Sequence, residues 1–161
     1  MNLQQMFGIE LPVIQAPMAG AQGVAMAAAV CNAGGLGSLP CAMLTAEGLR
    51  KDLAELRKLT TRTFNVNFFC HAPPVADAAR EAAWREVLAP YYREFGIDPS
   101  QIPSGPGRAP FSEEFADILE NDPPAVVSFH FGLPPAPLLA RVKSWKVKIF
   151  SSATTVDEAR W

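Results

Sequence analysis

No apolar run in this 161-residue sequence approaches the roughly 20 residues that a membrane-spanning helix requires. Residues Met1 to Glu10 lack the basic start and the apolar stretch of a secretory signal. Charge of one sign is missing too. Fourteen basic residues stand against sixteen acidic ones, so neither a nucleic-acid stripe nor an acidic tail is present. Cysteine is scarce: Cys31, Cys41 and Cys70 are odd in number, widely spaced and without a CxxC pair. That excludes a disulfide framework and a zinc motif, and suits small buried hydrophobes in a reduced, cytoplasmic compartment. A Walker loop and a GxSxG elbow are also absent. The run Gly34-Gly35-Leu36-Gly37 fails as GxGxxG, because Pro40 stands where the last glycine belongs and a helix precedes it.

What is present is a soluble globular composition, 49% hydrophobic and 19% charged, in a chain long enough for one sizeable core. Apolar runs at Leu11–Ile14, Leu36–Leu39, Phe64–Phe69, Ala125–Phe131 and Val147–Ser151 read as five strands, most of them stopped by proline or glycine. Between them lie helical patterns. Gln22 to Asn32 is alanine-rich and ends at Gly34-Gly35. Thr45 caps a helix whose Leu49, Leu53, Leu56 and Leu59 form one apolar face. Val75 to Glu94 is helical around Pro90, and the stretch from Ile97 to Pro110 is an irregular loop. Ser112 caps a helix through Glu120, and Pro137 to Ser144 forms another.

Strand and helix therefore alternate, the signature of a parallel sheet covered by helices. Two strands argue for a barrel over an open doubly wound sheet. The period of two puts Asn65 and Asn67 on one face of their strand, with Phe64, Val66 and Phe68 on the other. Likewise Ser128 and His130 share a face opposite Val127, Phe129 and Phe131. One apolar face toward helices and one mixed face inward suits a barrel, whereas a doubly wound sheet wants both faces apolar. The expected fold is α/β, an incomplete (β/α)8 TIM barrel with about five of eight strands. Thr155 with Glu158 reads as a capping box, so the last segment opens a helix. Residues 1–161 are thus expected to be the N-terminal part of a single domain, with a helical, Pro-rich insertion at about 75–124. The alternative is a complete five-stranded open sheet.

In such folds ligands bind at the carboxyl ends of the strands. Those ends hold small residues, prolines, glycines, Asn67 and His130, without a carboxylate cluster or a metal constellation. This suits a flat, neutral cofactor approaching backbone at Ala16, Ala19 and Gly20, with Asn67 as donor and acceptor. Each of these features also has a purely structural reading: a tight turn, a satisfied amide, a packed histidine.

At these same ends the chain resembles the FMN-dependent nitronate monooxygenases, also called 2-nitropropane dioxygenases. The resemblance rests on PVIQAPMAG (Pro12 to Gly20), NAGGLGSLP (Asn32 to Pro40), FNVNFF (Phe64 to Phe69), VVSFHFGLP (Val126 to Pro134) and SSATTVDEAR (Ser151 to Arg160). It implies an enzyme that oxidises alkyl nitronates with O2 to a carbonyl compound and nitrite. It also implies that Ala16, Pro17, Met18, Ala19 and Asn67 contact FMN, with Ser152 approaching it from the last strand. His130 is implied at the mouth of the substrate pocket, as the catalytic group that holds the anionic nitronate. A further histidine of a Gly-Gly-His motif, and the glycine-rich phosphate loops of the family, have no counterpart in these residues. The isolated chain is therefore expected to bind FMN poorly and turn over little. A flavin-dependent enoyl-thioester reductase of the same fold and a non-catalytic remnant are the competing readings.

Overall fold

A computed structural model describes residues 2–73, 75, 77–102 and 108–160. The Pro/Gly stretch at 103–107, expected to be loop, lies outside them. The chain divides into two compact units, Met1–Ala72 with Arg108–Trp161, and Pro73–Gly107.

The first unit opens with a short helix, α1 (Leu3–Phe7), capped by Asn2 and ended by Gly8 at φ +67°. Then come α2 (Val24–Asn32), β1 (Gly37–Pro40), α3 (Ala46–Leu59) and β2 (Phe64–Phe69). Thr45 caps α3 by accepting from Gly48 N–H at 3.1 Å. The second unit carries α4 (Ala78–Glu94), which runs through Pro90 and has no buried residue. Asp77 caps it, and it begins at Ala78, three residues later than the sequence pattern suggests. Back in the first unit follow α5 (Glu113–Glu120), β3 (Val126–His130), α6 (Ala136–Ser144) and β4 (Lys148–Ser151).

The four strands pair in parallel and in chain order, β1-β2-β3-β4. The expected strand at Leu11–Ile14 is only a single bridge, Ile14 to Leu36. Pro12 and Pro17 flank it and donate no N–H, so a ladder cannot extend. Sequential order leaves no reversal point of the kind an open doubly wound sheet has.

One face of the sheet packs on helices. Leu39, Val66, Phe68, Val127 and Phe129 are buried there against Val24, Ala27 and Cys31 of α2, Leu49, Leu53 and Leu56 of α3, and Phe115 and Leu119 of α5. Leu59, expected on that leucine face, is 47% exposed as the last residue of α3. The opposite face carries Leu36 and Val126 near the strand starts, packed with Phe7 and Ile9. Further along it turns polar, with Ser38, Asn65, Asn67 and Ser128 all buried.

Phe131 departs from the alternation of its strand. It should share the helix-facing side with Val127 and Phe129, yet it adopts φ +64° and stands 56% exposed. The strand has ended at His130, so the two-residue period no longer governs it. The predicted capping box is also shifted. Glu158 N–H does donate to Thr155 Oγ1 at 3.1 Å, but the Glu158 carboxylate accepts from Thr154 N–H at 2.6 Å.

One contact seats a helix on the sheet and another ties two helices together. A β-carbon at Gly37 would lie 2.1 Å from the Ala27 carbonyl oxygen of α2, so β1 and α2 touch backbone to backbone. Arg141 of α6 reaches Glu113, Asp117 and Glu120 of α5 at 2.8, 2.7 and 2.6 Å. The Trp145 indole donates to Glu120 as well, at 3.0 Å. Hydrogen bonds from Arg141 and Trp145 hold the Glu120 carboxyl below its ordinary value of 4.5.

Gly37→Ala is expected to destabilise the protein by about 3 kcal/mol or more, read from urea unfolding, because backbone must move. The Arg141 cluster carries a pH signature. A carboxyl with a depressed folded pKa stabilises above its unfolded pKa and loses that contribution as pH falls through the folded value. The stability gap between the parent and Arg141→Ala is therefore expected to shrink as pH falls from about 5 to about 3. An unchanged gap in chemical denaturation across that range would show that Glu120 contributes nothing to the pH dependence.

Candidate functional site

Register brings the site together. Ser38 pairs with Asn65, Asn67 with Ser128, and Phe69 with His130. These residues lie side by side on the sheet face away from the helices, where their amide nitrogens and hydroxyls bond one another while Asn65 Oδ1 has no partner among the described residues. Asn65 Nδ2 donates to Ser38 Oγ at 3.0 Å and to Ser128 Oγ at 2.9 Å. Asn67 Nδ2 donates to Ser128 Oγ at 2.9 Å and to the Ser128 carbonyl at 3.3 Å. The row continues outward through Gln22, which donates to the Ser38 carbonyl at 2.8 Å, and Gln15, which accepts from Ser38 N–H at 3.2 Å. Gln15 and Gln22 also bond each other.

The Ser128 carbonyl can only accept. It therefore fixes the Asn67 amide with its nitrogen toward β3 and its Oδ1 turned away. Asn67 lines a cavity of about 480 Å3 at the carboxyl ends of β2, β3 and β4. Pro17, Ser128, His130 and Ser152 line it as well, with Phe69, Phe131 and Phe150 as its aromatic wall. At the other ends of the strands a second depression of about 500 Å3 is bordered by Phe7, Pro124, Trp145 and Lys146. The first is the chemical candidate, since parallel sheets place ligands at the carboxyl ends of their strands.

His130 stands at the rim. Its Nδ1 is 2.5 Å from Ser152 Oγ, and its ring packs 4.0 Å from Phe131 and 5.9 Å from Phe69. Its Nε2 makes no hydrogen bond among the described residues. The site can thus offer an amide acceptor from Asn67, an imidazole edge from His130, and apolar ring surface. Lys, Arg, Asp and Glu are absent from the described lining.

Of the residues expected from sequence, Pro17, Asn67, His130 and Ser152 meet around this cavity. Ala16, Met18 and Ala19 lie on the same turn without lining it, and Met18 is 44% exposed. Ser128, which anchors Asn67, was visible on the inward face with His130 but gave no sign of its partners. Phe69 and Phe150 carry no sequence signal of a site, and alternation places Phe131 on the helix side.

The thiols do not supply a nucleophile. Burial pushes Cys31 and Cys41 up, and Cys70 to about 12. Three metal-binding side chains do not come together anywhere among the described residues.

Comparison with known proteins bears on this arrangement. The nitronate monooxygenase family model matches residues 1–161. A nitronate monooxygenase of Paraburkholderia phytofirmans is 43% identical over 98% of this chain and 43% of its own length. One from Pseudomonas aeruginosa is 43% identical over 96% of this chain and 44% of its own. The chain thus spans less than half the length of these curated relatives. Among solved structures, a nitroalkane oxidase from Streptomyces ansochromogenes matches with TM-score 0.80 and 37% identity, over 94% of this chain and 43% of that one. FabK from Thermotoga maritima matches with TM-score 0.69 at 23% identity, which shows a shared fold.

With the thiols protonated and sheltered, an aromatic disulfide reagent at about pH 8 is expected to label Cys31 and Cys41 only on unfolding, and Cys70 slowly. Rapid labelling of three thiols in the folded protein, followed by absorbance, is the contrary result.

Proposed function

This chain belongs to the nitronate monooxygenase family, and on that premise we propose that its cavity is the ring-facing and substrate-facing part of an FMN site for oxidation of alkyl nitronates by O2. The observation that carries the proposal is the convergence of Pro17, Asn67 and His130 on one cavity at the strand ends. The parallel sheet is read as part of a (β/α)8 barrel. Sequential strand order, the face covered by α2, α3 and α5, and the match to the Streptomyces structure support that reading.

The residues fit a flavin ring in their chemistry. Asn67 Oδ1 is an acceptor suited to a ring N–H, and Pro17 places backbone at the cavity wall. Ala16, Met18 and Ala19 would flank that contact. The redox chemistry is the flavin's own; the protein binds, orients and shields. His130 does the work on the substrate side. Ser152 Oγ holds Nδ1, so the ring is fixed and Nε2 is left to donate to the anionic nitro group. The aromatic wall limits water around that contact and strengthens it. Small-molecule nitronate and O2 are the partners this site would take.

The test uses the purified chain alone, and the chain co-expressed with the C-terminal remainder of the Pseudomonas aeruginosa relative. Flavin absorbance, O2 uptake and nitrite release from a short alkyl nitronate are measured. Flavin retention with nitrite formation in the complemented protein is expected. His130→Ala should lower kcat/KM by about ten- to a hundred-fold, the loss of one charge-assisted hydrogen bond. A flavin-loaded protein that forms no nitrite would overturn the proposal. If it oxidised NADH with an enoyl thioester, the reductase reading would replace it.

A further inference from the structure

Phe131 combines three features that a residue of the packed core would not need. It follows β3 at φ +64°, a left-handed backbone conformation that a β-carbon strains. It leaves its ring 56% exposed. It also turns that ring toward the cavity, 4.9 Å from Phe69 and 4.0 Å from His130, with His71 at 6.4 Å. The turn is pinned from outside. Gly132, at φ +101°, offers its carbonyl to Ser151 Oγ of β4 at 3.0 Å. A strained backbone and an exposed aromatic ring each cost free energy, and the pinned turn keeps both.

We propose that Phe131 is a specificity-determining residue. The strained turn holds its ring as the wall against which the alkyl chain of a nitronate packs, while His130 beside it takes the anionic end. This rests on the nitronate-oxidising reading above. Two properties of the cavity favour an alkyl chain over a charged tail. Phe69 and Phe131 pack on each other and, with Phe150, give the lining its aromatic surface, and the described lining offers a tail neither a cation nor a carboxylate. The geometry also separates two roles on adjacent residues: head-group recognition at 130 and chain recognition at 131.

Two measurements test this, one of them independent of turnover. In thermal unfolding of the flavin-free protein, Phe131→Gly is expected to unfold about 2–4 °C above Phe131→Ala, because only glycine relieves the positive φ. In the flavin-loaded, complemented protein, kcat/KM is measured for ethyl, butyl and hexyl nitronate. The parent should gain up to about fourfold per methylene, and Phe131→Gly should fall below about twofold. The inference is overturned if Phe131→Ala unfolds at or above Phe131→Gly, or if Phe131→Gly keeps the parent's dependence on chain length. A parent that oxidises all three equally well overturns this inference and leaves the nitronate reading standing. A parent that oxidises none of them overturns both.

Discussion

The hydrogen bonds from Asn67 to Ser128 join β2 to β3 on the sheet face away from the helices, and the rest of the candidate site depends on them. They are fixed by register, since Asn67 and Ser128 stand opposite each other in a parallel ladder. The ladder is in turn held by the helices behind it. Phe68 and Phe129 on the reverse sides of those strands are buried beside Phe111 and Phe115. Moving either strand by one residue would exchange the two faces, putting amides against helices and phenylalanines into the cavity. Core packing and site polarity are therefore one constraint seen from two sides.

The polar row has a direction. Ser38, Asn65, Ser128 and Asn67 are joined by side-chain amides and hydroxyls across three strands, and Gln22 joins the row through the Ser38 backbone carbonyl. Asn65 ties Ser38 to Ser128, and Ser128 then takes a second amide from Asn67. The Asn67 nitrogen is committed, which leaves its oxygen as the atom that could meet a ligand. On the rim, Ser152 does for His130 what Ser128 does for Asn67. Each candidate group is held by a hydroxyl from the next strand, or from just past its end, as rigid positioning of a small planar ligand would require.

Much of this was legible in the sequence where chemical contrast coincided with a period of two. Asn65 and Asn67 against Phe64, Val66 and Phe68 leaves one assignment of faces, and the structure has it. The leucines of α3 were equally plain, except for Leu59 at its exposed end. Legibility failed where the rule's premise failed. Two prolines reduce the Leu11–Ile14 run to a single bridge. Phe131 lies past the end of its strand, so alternation misplaced it. The role of Ser128 was hidden because its partner, Asn67, is 61 residues away, and hydroxyl partners follow from register, not from local pattern. A small residue on a turn, such as Ala16 or Ala19, gives no sequence signal that separates it from its neighbour Pro17, which alone reaches the cavity.

The central claim is that Asn67, oriented by Ser128, presents an acceptor to a flat ring. Titration with lumiflavin, which carries the ring without a phosphate, isolates that contact from every other part of cofactor binding. Saturable quenching of flavin fluorescence is predicted, weakened about tenfold or more in Asn67→Ala, the loss of roughly one buried hydrogen bond. Binding that is equal in the parent and in Asn67→Ala, or no saturable binding by the parent, would contradict the account.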